Sequence, residues 1–295
     1  MGEQNRRRPE PVEFGRLSVW RDSAGLDDKQ AREHAARLEL RAAAESEVAA
    51  RDDYVRLLGV APGERVLDVG CGSGAVARTL ARRVAPDGRA VGVDTSAALL
   101  KVARELANEA GLGAMIEFNE GDCRALPFPD ASFDAVVAAT TLSHVPGAGR
   151  ALAEMVRVTR PGGRVGVFDV DGDLTLFAHP DRELTRRIVA AFSDHGWVNG
   201  WLVRGLPTLL ADLGIVNVKT RGFMPLESGG YYANRAERSA EMAVQTGAIT
   251  SDKQARWLQV LREEIAGKRF LGGQVHLFVW GTRPGTETGA RASLK

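Results

Sequence analysis

Only two cysteines, Cys71 and Cys123, occur in the 295 residues. They lie far apart and lack the spacing of a zinc or redox motif, so neither a disulfide framework nor a thiolate metal centre is expected. There is no surplus of either charge. The 39 basic side chains nearly cancel the 38 acidic ones, leaving a formal net charge of +1, which gives no electrostatic footprint for nucleic acid or a membrane surface. No apolar run approaches the length of a membrane span, and the opening "MGEQNRRRPEP" carries basic residues with no apolar stretch behind them. Internal repeats and low-complexity blocks are missing too. A reducing cytoplasm is the expected location.

What is present is ordinary for a globular chain: 44% hydrophobic and 26% charged residues, enough for one large α/β domain with an appended subdomain. Residues 27 to about 58 read as helical, with Asp27 and Gln30 placed as a capping pair and Ala31, Ala35, Leu38 and Ala42 at helical spacing. Apolar runs then alternate with amphipathic helices. "RVLDVG", "RAVGVD", "AMIEFNEGD", "FDAVVAAT" and "RVGVFDVD" read as strands, with a Pro-Gly-Gly turn at Pro161 to Gly163 before the last. Strands separated by helices of this length predict βαβ units in a doubly wound, mostly parallel sheet, with ligands at the carboxyl ends of the strands.

Later strands are expected at "IVNVKTRGF" and "QVHLFVWGT", separated by two helical stretches, the second with Ser251 and Gln254 as a capping pair. An insertion that long between neighbouring strands is more often a lid than a plain connection. The expected organisation is a flexible leader (1–26), an N-terminal helical segment (27–60), a core (61–225 with 273–283), a helical insertion over the substrate (226–272) and a flexible tail (284–295).

The stretch "VLDVGCGSGAVA" carries the chemistry. A strand ends in Asp68 and turns through Gly70, Gly72 and Gly74, positions where a side chain would block a ligand or the required backbone angle. A nicotinamide-binding turn would place its third glycine one residue later, where Ala75 stands. The Gly-x-Gly-x-Gly form after an acid resembles motif I of the class I S-adenosylmethionine-dependent methyltransferases. The resemblance continues through "VGVDTS", "GDCRALPFPDASFDAVVAATTLSHV" and "VRVTRPGGRVGVFD", over roughly residues 54 to 170, in the style of ubiquinone, menaquinone and natural-product methyltransferases. It implies a Rossmann-like, seven-stranded methyltransferase fold. It also implies S-adenosylmethionine as cofactor, S-adenosylhomocysteine as product, and a cofactor site made of Asp68, Gly70, Cys71, Gly72, Gly74, Asp94, Thr95, Gly121, Asp122, Cys123 and Thr140. Within that set Asp94 would bind the ribose hydroxyls and Asp122 the adenine amino group. Read without the resemblance, Asp94 is a helix cap, Asp122 a solvated loop acid and Cys71 a small filler of the turn.

A methyl on a sulfonium is its own electrophile, so the protein mainly aligns a nucleophile and excludes water. A phenol or enol must also lose a proton. His144, just beyond the fourth strand, is the first candidate base, and Asp171, flanked by Asp169 and Asp173, is the candidate to orient a substrate hydroxyl or amine. No metal is expected, because three alternating acids lack the further convergent oxygen ligands that Mg²⁺ requires. Enzymes that methylate amino groups of DNA bases or protein glutamine resemble one another in an Asn-Pro-Pro-Tyr stretch at the fourth strand, where this chain has "ATTL". The expected partner is therefore a small-molecule substrate, with Trp197, Trp201, Tyr231, Tyr232 and Trp257 as apolar walls, and neither nucleic acid nor membrane. The insertion read as a dimerisation arm instead gives a homodimer. Three rival readings stand beside natural-product methyl transfer: quinone biosynthesis, cofactor binding without transfer, and a nicotinamide-dependent oxidoreductase disfavoured by the glycine spacing.

Overall fold

Successive residues of a strand face opposite sides of a sheet, and that period of two divides the core. In β1 (Arg65–Val69), Val66 faces one apolar layer while Leu67 and Val69 face another. The same alternation runs through β2 (Arg89–Asp94), β4 (Phe133–Ala139) and the start of β5 (Thr159–Phe177), so Val137 and Phe168 lie on the first side and Val136 and Val167 on the second. The computed structural model describes residues 23–285. Most of the expected leader and tail therefore lies outside the described residues.

The first layer is covered by α2 (Glu45–Leu58), α3 (Ala75–Val84) and α4 (Ala97–Glu109), the second by α5 (Ala148–Val158) and α7 (Leu202–Asp212). With β3 (Ile116–Glu120), β6 (Val216–Phe223), β7 (Leu226–Glu227) and β8 (Gly272–Thr282), the strands form a mixed eight-stranded sheet. Its order is β3-β2-β1-β4-β5-β8-β6, with the two-residue β7 paired to the start of β8. β1 to β5 are parallel, while β8 runs antiparallel to β5, β6 and β7. The mostly parallel, doubly wound sheet predicted from the sequence is present, with β7 as an eighth strand too short to show an alternation.

The Pro161 to Gly163 turn forms differently. It is a bulge inside β5, where the pairing with β4 slips between Phe133 and Ala135 and Gly162 donates to the Arg283 carbonyl at 2.8 Å. The N-terminal segment is two helices, α1 (Asp28–Ala42) and α2. α1 starts in the predicted capping box, with the Gln30 N–H donating to Asp27 at 2.8 Å and the Asp27 N–H to the Gln30 side chain at 3.1 Å. Ala31 and Ala35 seat α1 on Leu99 and Val102 of α4. α9 (Ser251–Ala266) is capped one residue earlier than expected, by Thr250.

A third apolar cluster stands apart from the sheet. It joins α6 (Arg182–Gly196), α8 (Gly230–Gln245) and α9, with Phe177 of β5 and Phe270 of the connection before β8. The helical layer thus contains α6, which precedes the 226–272 insertion. Among the described residues no helix is long and apolar enough to cross a membrane.

Trp257 is the largest fully buried side chain of that layer, 1% exposed, and donates its indole N–H to Thr185 of α6 at 3.0 Å. Trp257→Ala should cost about 3–5 kcal/mol in denaturant unfolding, from lost burial and the cavity left behind. Trp257→Phe keeps most of the volume and should cost only about 1–2 kcal/mol. Equal losses for the two variants would contradict a cavity-dominated role.

Candidate active site

At the carboxyl ends of β1, β2 and β4 the chain lines a cavity of about 330 Å³, roofed by α1, α6 and α8. Its floor is the glycine turn. Gly70 and Gly72 have φ of +71° and +52°, in the left-handed region that L side chains rarely adopt. A Cβ at Gly70 would come within 2.2 Å of the Thr141 side chain, and one at Gly72 within 2.9 Å of Leu38 on α1. Gly74 precedes α3 with φ +80°, and a Cβ there would press on Phe118 at 3.0 Å. It sets helix packing and does not line the cavity.

Asp94 ties the second strand to this turn. One carboxylate oxygen accepts from the Gly72 N–H at 2.9 Å and the other from the Ser96 N–H at 3.0 Å. Burial raises its pKa against those bonds. Asp68 is 1% exposed and its Oδ2 has no hydrogen-bond partner. Burial pushes its pKa up to about 7, opposed by the Ala77 N–H and reinforced by the charge of Asp94. Ser23 and Thr95 meet through their hydroxyls at 3.1 Å on the cavity wall.

Gly121, Asp122 and Cys123 line the same wall. The Asp122 carboxylate is gripped by Arg124 at 2.7 to 3.1 Å, which lowers its pKa. Both cysteine thiols are pushed up by burial, Cys123 to about 11, so neither is a thiolate nucleophile at neutral pH. Thr140 has φ +51°, a strained value for a β-branched residue, and its hydroxyl accepts from Arg41 at 3.0 Å.

The two candidates for chemistry are placed differently. His144 lines the cavity and packs its ring against Trp197 at 4.7 Å. Burial, then Arg235 and Arg41, push its pKa down to about 3, so the imidazole is neutral at pH 7. Asp171 does not line the cavity. Arg204 clamps it at 2.6 and 2.7 Å, and its neighbours are engaged as well: Asp169 accepts from the Ser143 N–H at 2.9 Å and Asp173 from the Ser193 hydroxyl at 2.6 Å. The three acids fasten the His144 turn, α6 and α7 to β5. Among the described residues no group of three or more His, Cys, Asp or Glu is arranged to hold a metal ion. Of the five aromatic residues expected as walls, Trp197 and Tyr231 line the cavity. Trp201 is 61% exposed under Arg204, and Tyr232 and Trp257 are core.

Behind the cavity lies a buried polar network that the sequence patterns do not announce. Arg41 of α1 pairs with Glu47 of α2 at 3.0 and 3.2 Å. It also reaches Nε2 of His276 on β8 at 3.1 Å, while Nδ1 of His276 lies 3.0 Å from the Gln274 carbonyl. These partners fix the tautomer: Nδ1–H donates to the carbonyl and Nε2 accepts from arginine. Tyr232 of α8 donates to Glu47 at 3.3 Å. One signal was available, since His276 and Gln274 are polar residues in the register of Phe278 on a strand whose following residues are apolar.

A family of methyltransferase domains matches residues 66–163, the span from the glycine turn to the bulge in β5. The ubiquinone/menaquinone biosynthesis C-methyltransferase UbiE of Pseudomonas putida (strain GB-1) is 37% identical over 139 residues, 47% of this chain and 52% of that protein. The matched stretch belongs to the class I S-adenosylmethionine-dependent methyltransferase family. An uncharacterized 37.1 kDa protein in transposon TN4556 of Streptomyces fradiae is 35% identical over 206 residues, 68% of this chain and 58% of that protein. The matches therefore span little more than half the length of these curated relatives. Among solved structures, YcgJ from Bacillus subtilis superposes with TM-score 0.57 at 18% identity, over 81% of this chain and 99% of that one. The [4+2]-cyclase SpnF does so with TM-score 0.51 at 24% identity, over 81% of each chain. Both likenesses are of fold. The family match ends before β8 and the helical layer, so His276 and the residues of α8 fall outside it.

Removing one member of the Arg41–Glu47 pair strands a buried charge. Burial opposes both charges, and their pairing overrides it, holding Glu47 below and Arg41 above its usual pKa. Arg41→Met should therefore cost about 3–5 kcal/mol in denaturant unfolding, while the Arg41→Met, Glu47→Met double variant recovers most of that loss. Additive losses would contradict the coupling.

Proposed function

We propose that this chain transfers a methyl group from S-adenosylmethionine to O, C or N of a small metabolite held between the sheet and the helical layer. The supporting observation is the cavity over the glycine turn, where a buried carboxylate oxygen of Asp68 has no partner. A buried acceptor of this kind is costly unless a ligand completes it. The residues present fit the cofactor: left-handed Gly70 and Gly72 open the floor, and Asp68 is an acceptor for the methionine ammonium. Asp94 has lone pairs left for the ribose hydroxyls, and Asp122 stands on the wall assigned to adenine. When bound, the cofactor supplies an electrophilic methyl for direct displacement.

The chain's own residues then bind, align and exclude water. Trp197, Tyr231 and Phe192 wall off solvent and position the acceptor, and α6, α8 and α9 act as the lid. His144 is uncharged and touches the same space, so it can take a proton from a phenol or enol, although burial keeps it a weak base. The aromatic side chains of the cleft favour an aromatic or polyketide-like metabolite, with quinone biosynthesis as the neighbouring alternative suggested by UbiE. The family's fold is also that of a protein described as a cyclase, and fold alone does not fix activity.

S-adenosylhomocysteine should raise the melting temperature and NAD should leave it unchanged. Release of S-adenosylhomocysteine during turnover of labelled cofactor with host extract then distinguishes transfer from binding. Stabilisation by NAD alone would overturn the reading. A second expectation follows from Asp68, whose carboxyl sits at about 7 in the free protein. A cation placed beside it favours the ionised form, so S-adenosylhomocysteine should bind more weakly as pH falls below about 7. Binding at pH 7 should release roughly half a proton. Calorimetry in two buffers of different ionisation enthalpy measures the release, and Asp68→Asn should abolish it; release unchanged in Asp68→Asn would remove Asp68 from the cofactor site.

A further inference from the structure

The cleft has two electrostatic ends. At the glycine turn stand Asp68 and Asp94. At the α8 end stand Arg235 and Arg238, one helical turn apart, both lining the cavity. Arg235 is 6% exposed, and its guanidinium lies among the rings of Phe192, Trp197 and Tyr231 at 5.1 to 5.2 Å. One nitrogen donates to the Tyr231 hydroxyl at 2.5 Å; Nε and Nη1 are buried without a hydrogen-bond partner. Among the described residues no carboxylate pairs with Arg235 or Arg238. The one glutamate on the cavity wall, Glu47, is already taken by Arg41.

A buried, unpaired guanidinium is costly, and an adjacent second arginine adds repulsion. Aromatic faces offset part of this, yet they leave the N–H donors unspent. Such an arrangement is completed by an anion, for which arginine is well suited because its planar N–H groups match a carboxylate or phosphate. The cofactor brings one carboxylate of its own. Arg37 of α1 also lines the cavity, and its buried Nε has no hydrogen-bond partner, so it is a separate cation for that carboxylate. Arg235 and Arg238 lie beyond Trp197 on another helix.

Resting on the methyl-transfer reading, we propose that the acceptor molecule carries an oxyanion, a carboxylate or a phosphate, bound by Arg235 with Arg238 inside the aromatic cage. The acceptor's ring or chain then extends from that anchor toward the glycine turn, past His144. The anion also offsets the positive charge that Arg235 directs at His144, and so increases the basicity of that imidazole when substrate is bound.

The test titrates benzoate, phenyl phosphate and neutral benzamide into the full chain saturated with S-adenosylhomocysteine, at fixed ionic strength, by calorimetry and tryptophan fluorescence. One of the two anions should bind at least about 10-fold more tightly than benzamide. Preference for benzoate identifies a carboxylate substrate and preference for phenyl phosphate a phosphate. Arg235→Gln should lose that preference with S-adenosylhomocysteine affinity unchanged, and the less buried Arg238→Gln should weaken it several-fold. Thermal unfolding of each variant separates a lost site from a lost fold. Benzamide binding as well as the anions, or a preference that survives in a folded Arg235→Gln, would overturn the oxyanion site while leaving the cofactor result standing. Failure of S-adenosylhomocysteine to bind overturns the methyl-transfer reading instead, and the anion series on the free protein still decides the oxyanion site.

Discussion

Arg41 is the point on which the cleft is assembled. Its guanidinium joins Glu47 on α2, the strained Thr140 after β4 and His276 on β8, and through Glu47 it reaches Tyr232 on α8. Two adjacent N-terminal helices, the end of β4, α8 and β8 are thereby held together. The cost of burying this charge is offset by a carboxylate, a hydroxyl and a neutral imidazole whose tautomer the network itself selects. Tyr54, Phe168 and His276 stack in sequence behind it, with ring centroids 4.5 and 4.9 Å apart. The cavity thus has a rigid back wall while its roof comes from a separately packed helical layer.

The local signals in the chain were legible. The glycine turn, the acid ending β2 and the alternation of strand and helix depend on neighbours within a few residues, and the structure places them as the pattern implies. The Asp27 capping box is local in the same way. Long-range contacts were not legible: the bonds of Arg41 to Thr140 and His276, and the packing of Phe192 over Arg235, join segments that nothing adjacent in sequence brings together. Arg235 lies on the buried stripe of α8 with Tyr232, Ala236 and Ala240, and Phe192 of α6 and Trp197 pack over its guanidinium. Asp171 shows the converse. Its place after β5 suggested a cleft residue, but Arg204, 33 positions later, draws it into a structural clamp.

The cleft divides the work by charge. Carboxylates gather at the glycine turn, where the family's cofactor brings an ammonium and a sulfonium, and arginines gather under α8, beyond the stretch that the family shares. Such segregation lets one cavity hold two ligands in a fixed order and orientation, which is what a direct displacement requires. The arginine end is built by α6 and α8, which share an apolar cluster with α9 over Phe177 of β5.

The proposed methyl transfer seats the cofactor on the glycine turn beneath α1. Hydrogen exchange of the full chain with saturating S-adenosylhomocysteine tests it most directly. Amides of residues 70–74, 94–96 and 121–123 should exchange more slowly, with a smaller change in α8 until an acceptor is added. Slowed exchange confined to other segments, with residues 70–74 unaffected, would contradict it.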